Sequence, residues 1–430
     1  MKKILEKILY ILAKAIIWRY QPTIIGITGS VGKTSTKEAI FAVLKDKFDV
    51  RKNEKNYNNE IGVPLTIIGT DSGNKNIFIW LFIFIKAILM LVYFPYPKIL
   101  ILEMGADKPG DIKYLTRLAP CHIGILTAIG DSPVHLEFFK NIEHLIREKT
   151  NIISHLKVQD FAIINLDDEQ LQSLPDKTKA QIITVGQDEK AQLRASDINY
   201  SLNLEEAIKN NNAGINFKIH YEGHTIPFKI NNALGLPQVY AGLFAIACGL
   251  VFKMNLVEIS KAIGLYRPLA GRMNLLFGIK DTYLIDDTYN SSPLACKKGL
   301  DVLGNVQTQG RKIACLGNME ELGENSRKAH RQIGRLIVEK NIDILFAVGD
   351  KAKDIAAAAE EKGMKKDNIF TFNNSQEASA AVLNEIHHGD VILIKGSQSA
   401  RMERITKTIM AEPLKAEELL VRQSKSWQNK

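Results

Sequence analysis

The sequence predicts an α/β fold in which two successive units each wrap a mostly parallel sheet in helices. Three observations predict it. From Pro22 onward the β-rich runs TIIGIT, KILILEMG, HIGILTAI and FAIINL are each followed by an amphipathic stretch, the pattern of strands joined by crossover helices. At GITGSVGKTST, residues 26–36, an apolar run passes through a glycine loop into a helical pattern, a junction used by phosphate-binding α/β units. After RPLAGRMN a second series begins, TYLIDDT, RKIACLG, DILFAVG and DVILIKGS. A chain of 430 residues is also too long for one ordinary core and suits two or three domains.

Residues 1–21, MKKILEKILYILAKAIIWRYQ, place Ile4, Leu5, Ile8, Leu9, Leu12 and Ile16 at helical spacing with Lys and Glu opposite. The segment reads as an amphipathic helix; without a small-residue cleavage site it is not a secretory signal. Residues 22–266 form the first unit. Within it the run 77–94, IFIWLFIFIKAILMLVYF, is nearly long enough to span a bilayer and carries only Lys86 inside. A span would put GVPLTIIG and KILILEMGAD, two pieces of one unit, on opposite sides of a membrane. The expectation is a helix in the membrane interface, with Trp80 and Tyr93 near its ends, or one packed on the N-terminal helix. Between about 190 and 232 the polar–apolar alternation of INFKIHYEGHTIPFKI suggests a small antiparallel patch, and QVYAGLFAIACGLVFKM returns to helix. The second unit, 267–430, is Rossmann-like, and its last stretch, AEELLVRQSKSWQNK, reads as a helix fraying into a polar tail.

A net charge of +9 favours anionic partners: nucleotides, acidic cell-wall precursors, anionic lipid or nucleic acid. Nucleic acid is set aside, because neither basic-aromatic clusters nor a recognition helix is found. Cys121, Cys248, Cys296 and Cys315 lack metal-ligand spacing, which points to a reducing cytoplasm.

The glycine loop carries the first chemistry. Amides around Gly29, Ser30 and Gly32, the helix start at Thr34 and Ser35, and the charge of Lys33 converge on an anion. Ile27 stands where the strict phosphate-loop pattern has its first glycine, so the loop is a variant of the P-loop ATPase type. Lys33 is placed for β- and γ-phosphates and the Thr34 hydroxyl for Mg²⁺. Glu103, ending KILILEMG, is placed where a carboxylate reaches that metal or, on the plainer reading, caps a helix.

Eight stretches in order, TGSVGKTSTKE, NYNNEIGVP, LEMGADKPGDI, HLEFF followed by REKTN, GRMN, DDTYNSSP, GNMEELGE and KGSQSARME, resemble the Mur ligases, and within them the D-alanyl-D-alanine-adding type. The resemblance covers residues 22 to 405. It implies a cytoplasmic ligase of peptidoglycan synthesis that uses ATP and Mg²⁺. A carboxylate of a UDP-linked muramyl peptide would take the γ-phosphoryl group, and the amine of D-Ala-D-Ala would displace phosphate. By resemblance His135 is a ligand of a second Mg²⁺, and Lys149 is the lysine that the family carbamylates, also toward metal. Thr150-Asn151 stand where the family often has Gly-Glu. Asn58, Asn59 and Glu60 lie near the incoming substrate, and Arg272 reaches the phosphates across a cleft. Asp287, Tyr289 and Asn290 approach the nucleotide and the dipeptide, and Lys395, Ser397 and Arg401 hold the dipeptide carboxylate. Pro237 and Gln238 stand where the family often has His and Asn, and Gln238 is the residue left there to contact adenine. The family usually adds an N-terminal domain of about a hundred residues for the uridine nucleotide, whereas here the phosphate loop begins before residue 30. Either another surface holds the UDP-linked substrate, or the acceptor is lipid-linked and met at the inner face of the membrane through segments 1–20 and 77–94. Two alternatives stand beside this reading: a Mur-like ligase for another carboxylate, and a membrane-associated nucleotide-binding protein without ligase activity.

Overall fold

The computed structural model describes residues 2–54, 57–130, 138–200, 214–424 and 427. Among them, β1 (Thr23–Thr28), β2 (Val50–Lys52), β3 (Ile99–Glu103), β4 (Ile123–Leu126), β5 (Phe161–Asn165), β6 (Gln181–Gly186), β7 (Leu193–Tyr200), β8 (Gly214–Tyr221) and β9 (His224–Asn231) form one sheet. Its order is β2-β3-β1-β4-β5-β6-β7-β8-β9. Pairing is parallel as far as β7 and antiparallel across β7-β8-β9, the patch expected between 190 and 232. The central strands are apolar almost throughout because both faces are covered. On one face lie α2 (Lys33–Leu44), α7 (Leu236–Val251) and α8 (Leu256–Leu265). On the other lie α1 (Lys2–Tyr20), α3 (Gly62–Ile68), α4 (Ile77–Tyr93), α5 (Asp111–Leu118) and α6 (Ile142–Ser154).

Helix α4 resolves part of the sequence ambiguity. Its start is capped by Asn76, whose side chain accepts from the amides of Phe78 and Ile79. Its inner face, Ile83, Ala87 and Met90, shares a core with Leu9, Ala13 and Ile16 of α1. The Tyr20 hydroxyl ties the two helices by donating to the carbonyls of Met90 and Phe94. Among the described residues no helix is long and apolar enough to cross a membrane.

The second sheet contains β10 (Asn274–Phe277), β11 (Tyr283–Asp287), β12 (Lys312–Gly317), β13 (Ile344–Val348), β14 (Ile369–Phe372) and β15 (Val391–Lys395), in the order β10-β11-β15-β12-β13-β14. All pairs are parallel except β10-β11. Apolar clusters cover both of its faces. The sequence reading passed over β10, which directly follows GRM and is a short antiparallel edge. The C-terminal stretch also differs from expectation. Its helix ends at Leu419, and the chain then turns back, with Arg422 donating to the carbonyls of Thr288 and Tyr289 and pairing with buried Glu403. These partners lie more than a hundred residues upstream or on another helix, where local composition gives no sign of them.

Candidate active site

The glycine loop begins where β1 ends, in the middle of the first sheet, at the carboxyl ends of the parallel strands. Ile27 is still a strand residue, paired with Glu103 and Ile125 and fully buried. That accounts for the missing first glycine, since the backbone there needs no special freedom. Gly29 and Gly32 do need it: their φ angles are +149° and +90°. A Cβ on Gly29 would stand 2.0 Å from Thr127 Oγ1. Thr127, at the end of β4, donates to the Val31 carbonyl at 2.7 Å and so holds the loop from beneath. No side chain caps α2, which leaves its first amides facing the space above the loop. The Lys33 ammonium folds back to the Gly29 carbonyl at 2.7 Å. Burial lowers its pKa, and Glu103 opposes that shift.

Above the loop lies a cavity of about 320 Å³ bounded by both sheets. From the first unit it is lined by Ser30, Gly32, Lys33, Thr34, Ser35, Asn58, Glu103 and Gln238, and from the second by Arg272, Asp287, Tyr289, Asn290 and Lys395. Arg272 bridges them. Its Nη2 donates to Thr34 Oγ1 at 3.1 Å, and its guanidinium carbon lies 4.1 Å from the centre of the Tyr289 ring. Gln238 locks this bridge by donating to the Arg272 carbonyl and accepting from the Tyr266 hydroxyl. Among the described residues, Ser30 Oγ and Arg272 Nε are buried without a hydrogen-bond partner. Two unsatisfied donors beside a lysine, an uncapped helix start and a second cation make a site that fits a polyphosphate.

Glu103 is buried at the end of β3 and accepts from Asn58 Nδ2 at 3.2 Å. With the Thr34 hydroxyl it supplies hard oxygen donors to the same cavity. Groups of three or more His, Cys, Asp or Glu able to hold a metal are absent among the described residues. A divalent ion fitting this donor set is one completed by phosphate oxygens, as suits Mg²⁺. His135 lies outside the described residues. Lys149, on α6, approaches from behind the loop, with its ammonium 3.1 Å from the Gly29 carbonyl. Burial first, and then the charge of Lys33, pull its pKa down to about 7.

Other candidates divide. The Asn59 side chain accepts from the Ile61 and Gly62 amides in the turn that leads into α3; it lines a separate small pocket with Glu60. The resemblance groups Lys395 with Ser397 and Arg401, but the chain separates them: Lys395 is the last residue of β15, and Ser397 and Arg401 flank the short turn beyond it. The Lys395 ammonium is buried against Asp287 Oδ2 at 2.6 Å and the Asn290 carbonyl. Ser397 and Arg401 line a second cavity of about 430 Å³ that shares Asn290 and Ser291 with the first. Arg401 is held there by Glu403 at 2.6 Å and lies 5.4 Å from the Trp427 ring.

Sequence reading missed several supporting groups. Asp286, beside the named Asp287, is fully buried; it accepts from the Gly271 amide and from the hydroxyls of Thr288 and Thr406. It thereby fixes the turn that delivers Arg272. Lys298 of α9 (Pro293–Asn305) lines the first cavity, with its pKa lowered by burial against the opposing pull of Asp168 and Asp167. Glu148, next to Lys149, accepts from the Gly110, Ile112 and Lys113 amides at the start of α5. The doubled acid in DDTYN was the one signal available for Asp286.

The Mur ligase middle domain matches residues 27–80 and 89–236, and the Mur ligase, glutamate ligase domain matches 271–398. Over 403 residues the chain is 30% identical to the UDP-N-acetylmuramoyl-tripeptide--D-alanyl-D-alanine ligase of Bacillus subtilis (strain 168), covering 94% of this chain and 79% of the relative. The chain belongs to the Mur ligase family. The ligase of the same name from Mycobacterium leprae (strain TN) is 30% identical over 412 residues, covering 91% of this chain and 74% of that one. Among solved structures, a MurF ligase from Thermotoga maritima in complex with ADP superposes with a TM-score of 0.75 at 25% identity, covering 94% of this Mur ligase and 83% of that chain. A MurF from Acinetobacter baumannii, at 24% identity and TM-score 0.75 over 93% of this chain and 79% of its own, shares the fold.

Proposed function

We propose that this Mur ligase joins D-Ala-D-Ala to a UDP-linked muramyl tripeptide in peptidoglycan precursor synthesis, cleaving ATP to ADP through an acyl phosphate. The observation that carries the reading is the reach of Arg272 from the second unit to Thr34 of the glycine loop. A carboxylate attacking ATP is a weak nucleophile meeting a crowded anion, so the rate must come from positioning and charge neutralisation. Lys33 and the loop amides hold the β- and γ-phosphates, with Ser30 and Ser35 beside them. Arg272 covers the transferring group, its unpartnered Nε supplying a further donor. Gln238 and Asp287 lie toward the nucleoside. Thr34 and Glu103 would hold Mg²⁺, which would supply Lewis-acid neutralisation of phosphate charge there; by the family resemblance His135 would serve a second ion.

Lys149 suits carbamylation. A pKa of about 7 leaves much of the amine neutral at cytoplasmic pH, and the neutral nitrogen can attack CO₂ and release a proton to give a carbamate. The charge of Lys33, which disfavours an ammonium at this position, favours that anion. Asn58, Tyr289 and Asn290 face the acyl group. The adjoining cavity with Ser397 and Arg401 is the place for the dipeptide and its carboxylate, with Lys395 neutralising Asp287 between the two. The described cysteines are free and buried, in keeping with a cytoplasmic enzyme.

The test is phosphate release from ATP with UDP-muramyl tripeptide and D-Ala-D-Ala, together and singly, with the product identified by mass. Turnover should need both, and the product should gain the dipeptide. Turnover with neither would sink the ligase reading; turnover with another acid or amine in a panel would replace the substrates.

A further inference from the structure

We propose that the outer faces of α1 and α4 form a docking surface for an anionic lipid bilayer, on which the enzyme lies without spanning it. The outward side of α4 is apolar along its whole length. Phe78, Phe82, Ile85, Leu89 and Val92 are 48 to 77% exposed. Lys86, the helix's one charged residue, turns inward to the Gly69 carbonyl. On α1, Ile4, Ile8, Ile11 and Trp18 form an exposed stripe at helical spacing, opposite the buried Leu9, Ala13 and Ile16. A water-facing surface has no use for two neighbouring helices of this kind.

Charge identifies the occupant. Lys3, Lys7 and Lys14 are exposed along one flank of the α1 stripe and Arg19 along the other, while the helix's single acid, Glu6, is paired with Lys2. An apolar stripe bordered by lysines, with a tryptophan near its end, matches an anionic interface. A second copy matches poorly, because a two-fold contact sets like patches together and would bring the lysine rows of the two copies into apposition. The match to the Mur ligase middle domain also breaks between residues 80 and 89, inside α4, so this surface lies where the chain parts from the family pattern. The proposal is independent of the ligase reading.

Flotation of the full chain with phosphatidylcholine vesicles, with or without phosphatidylglycerol, tests it. The protein should float with the anionic vesicles, and less so as salt is raised. At roughly fivefold per basic residue near an anionic surface, Lys3→Gln/Lys7→Gln/Lys14→Gln should weaken binding about a hundredfold. Phe78→Asn/Phe82→Asn/Val92→Asn changes only exposed positions; it should abolish flotation and leave ATP turnover in solution intact. Failure to float with anionic vesicles, or flotation indifferent to both variants, overturns the proposal. So does a stable dimer in sedimentation that the same variants dissociate, since that would assign the surface to a second copy.

Discussion

Lys149 is held against the Gly29 carbonyl with a pKa of about 7, well below the ordinary lysine value of 10.5. Between these values the unfolded chain keeps a proton that the folded chain has released, so stability should rise with pH across that window. Below about pH 7 the full penalty of burying the charge is present. Urea unfolding at pH 7 and pH 9 in CO₂-free buffer should show the rise, and Lys149→Met should flatten it. A residual slope should survive from Lys33, whose pKa is shifted in the same direction. Activity tests the carbamate separately: Lys149→Ala should lose turnover and regain part of it with a small added carboxylate, and absence of rescue counts against that role. Arg272→Lys keeps the charge but loses the planar fork on Thr34 and the stacking on Tyr289. Its kcat should fall about a hundredfold or more with little change in Tm. Both residues were legible in the sequence, through REKTN and GRMN. Asp286 was not, because the alternation that gives Asp287 to the cavity sends its neighbour into the interior, and no local pattern reports which of two adjacent acids a sheet will bury.

At the scale of elements, loops and helix ends carry the site. Gly29→Ala would drive a Cβ onto Thr127 at a backbone angle that L side chains avoid. We expect a loss of about 2–4 kcal/mol of stability and of measurable nucleotide binding, read by denaturant titration and fluorescent-nucleotide binding. Glu148→Ala would strand the amides at the start of α5, costing about 1–3 kcal/mol, while Glu148→Gln should retain part of that as an acceptor. The positions of β1, β3, β4, β5, β11, β12, β13 and β15 followed readily from the apolar runs; the order in which they pair did not. The short edge strand β10 and the return of the C-terminal segment did not, since a four-residue strand and an arginine bound to distant carbonyls leave no periodicity to read.

For the whole molecule, a nucleotide bound in the first cavity would touch residues from both sheets. Saturation at a hundred times Kd should add about 2.7 kcal/mol, raising the Tm of the two units together in calorimetry. With Arg272→Ala the second unit should follow less closely, and an unchanged two-unit response would show that the arginine does not couple them. The sequence by itself determined the fold class, the phosphate loop and most cavity residues, because a glycine loop between strand and helix and buried parallel strands are written in local order. Tertiary structure alone decided that Lys395 neutralises Asp287 in place of facing the second cavity, and that one side of α4 packs on α1 while the other stays bare. Each depends on which distant groups meet, and the free energy of burying or pairing a side chain belongs to that meeting, beyond what the side chain's neighbours in the chain can specify.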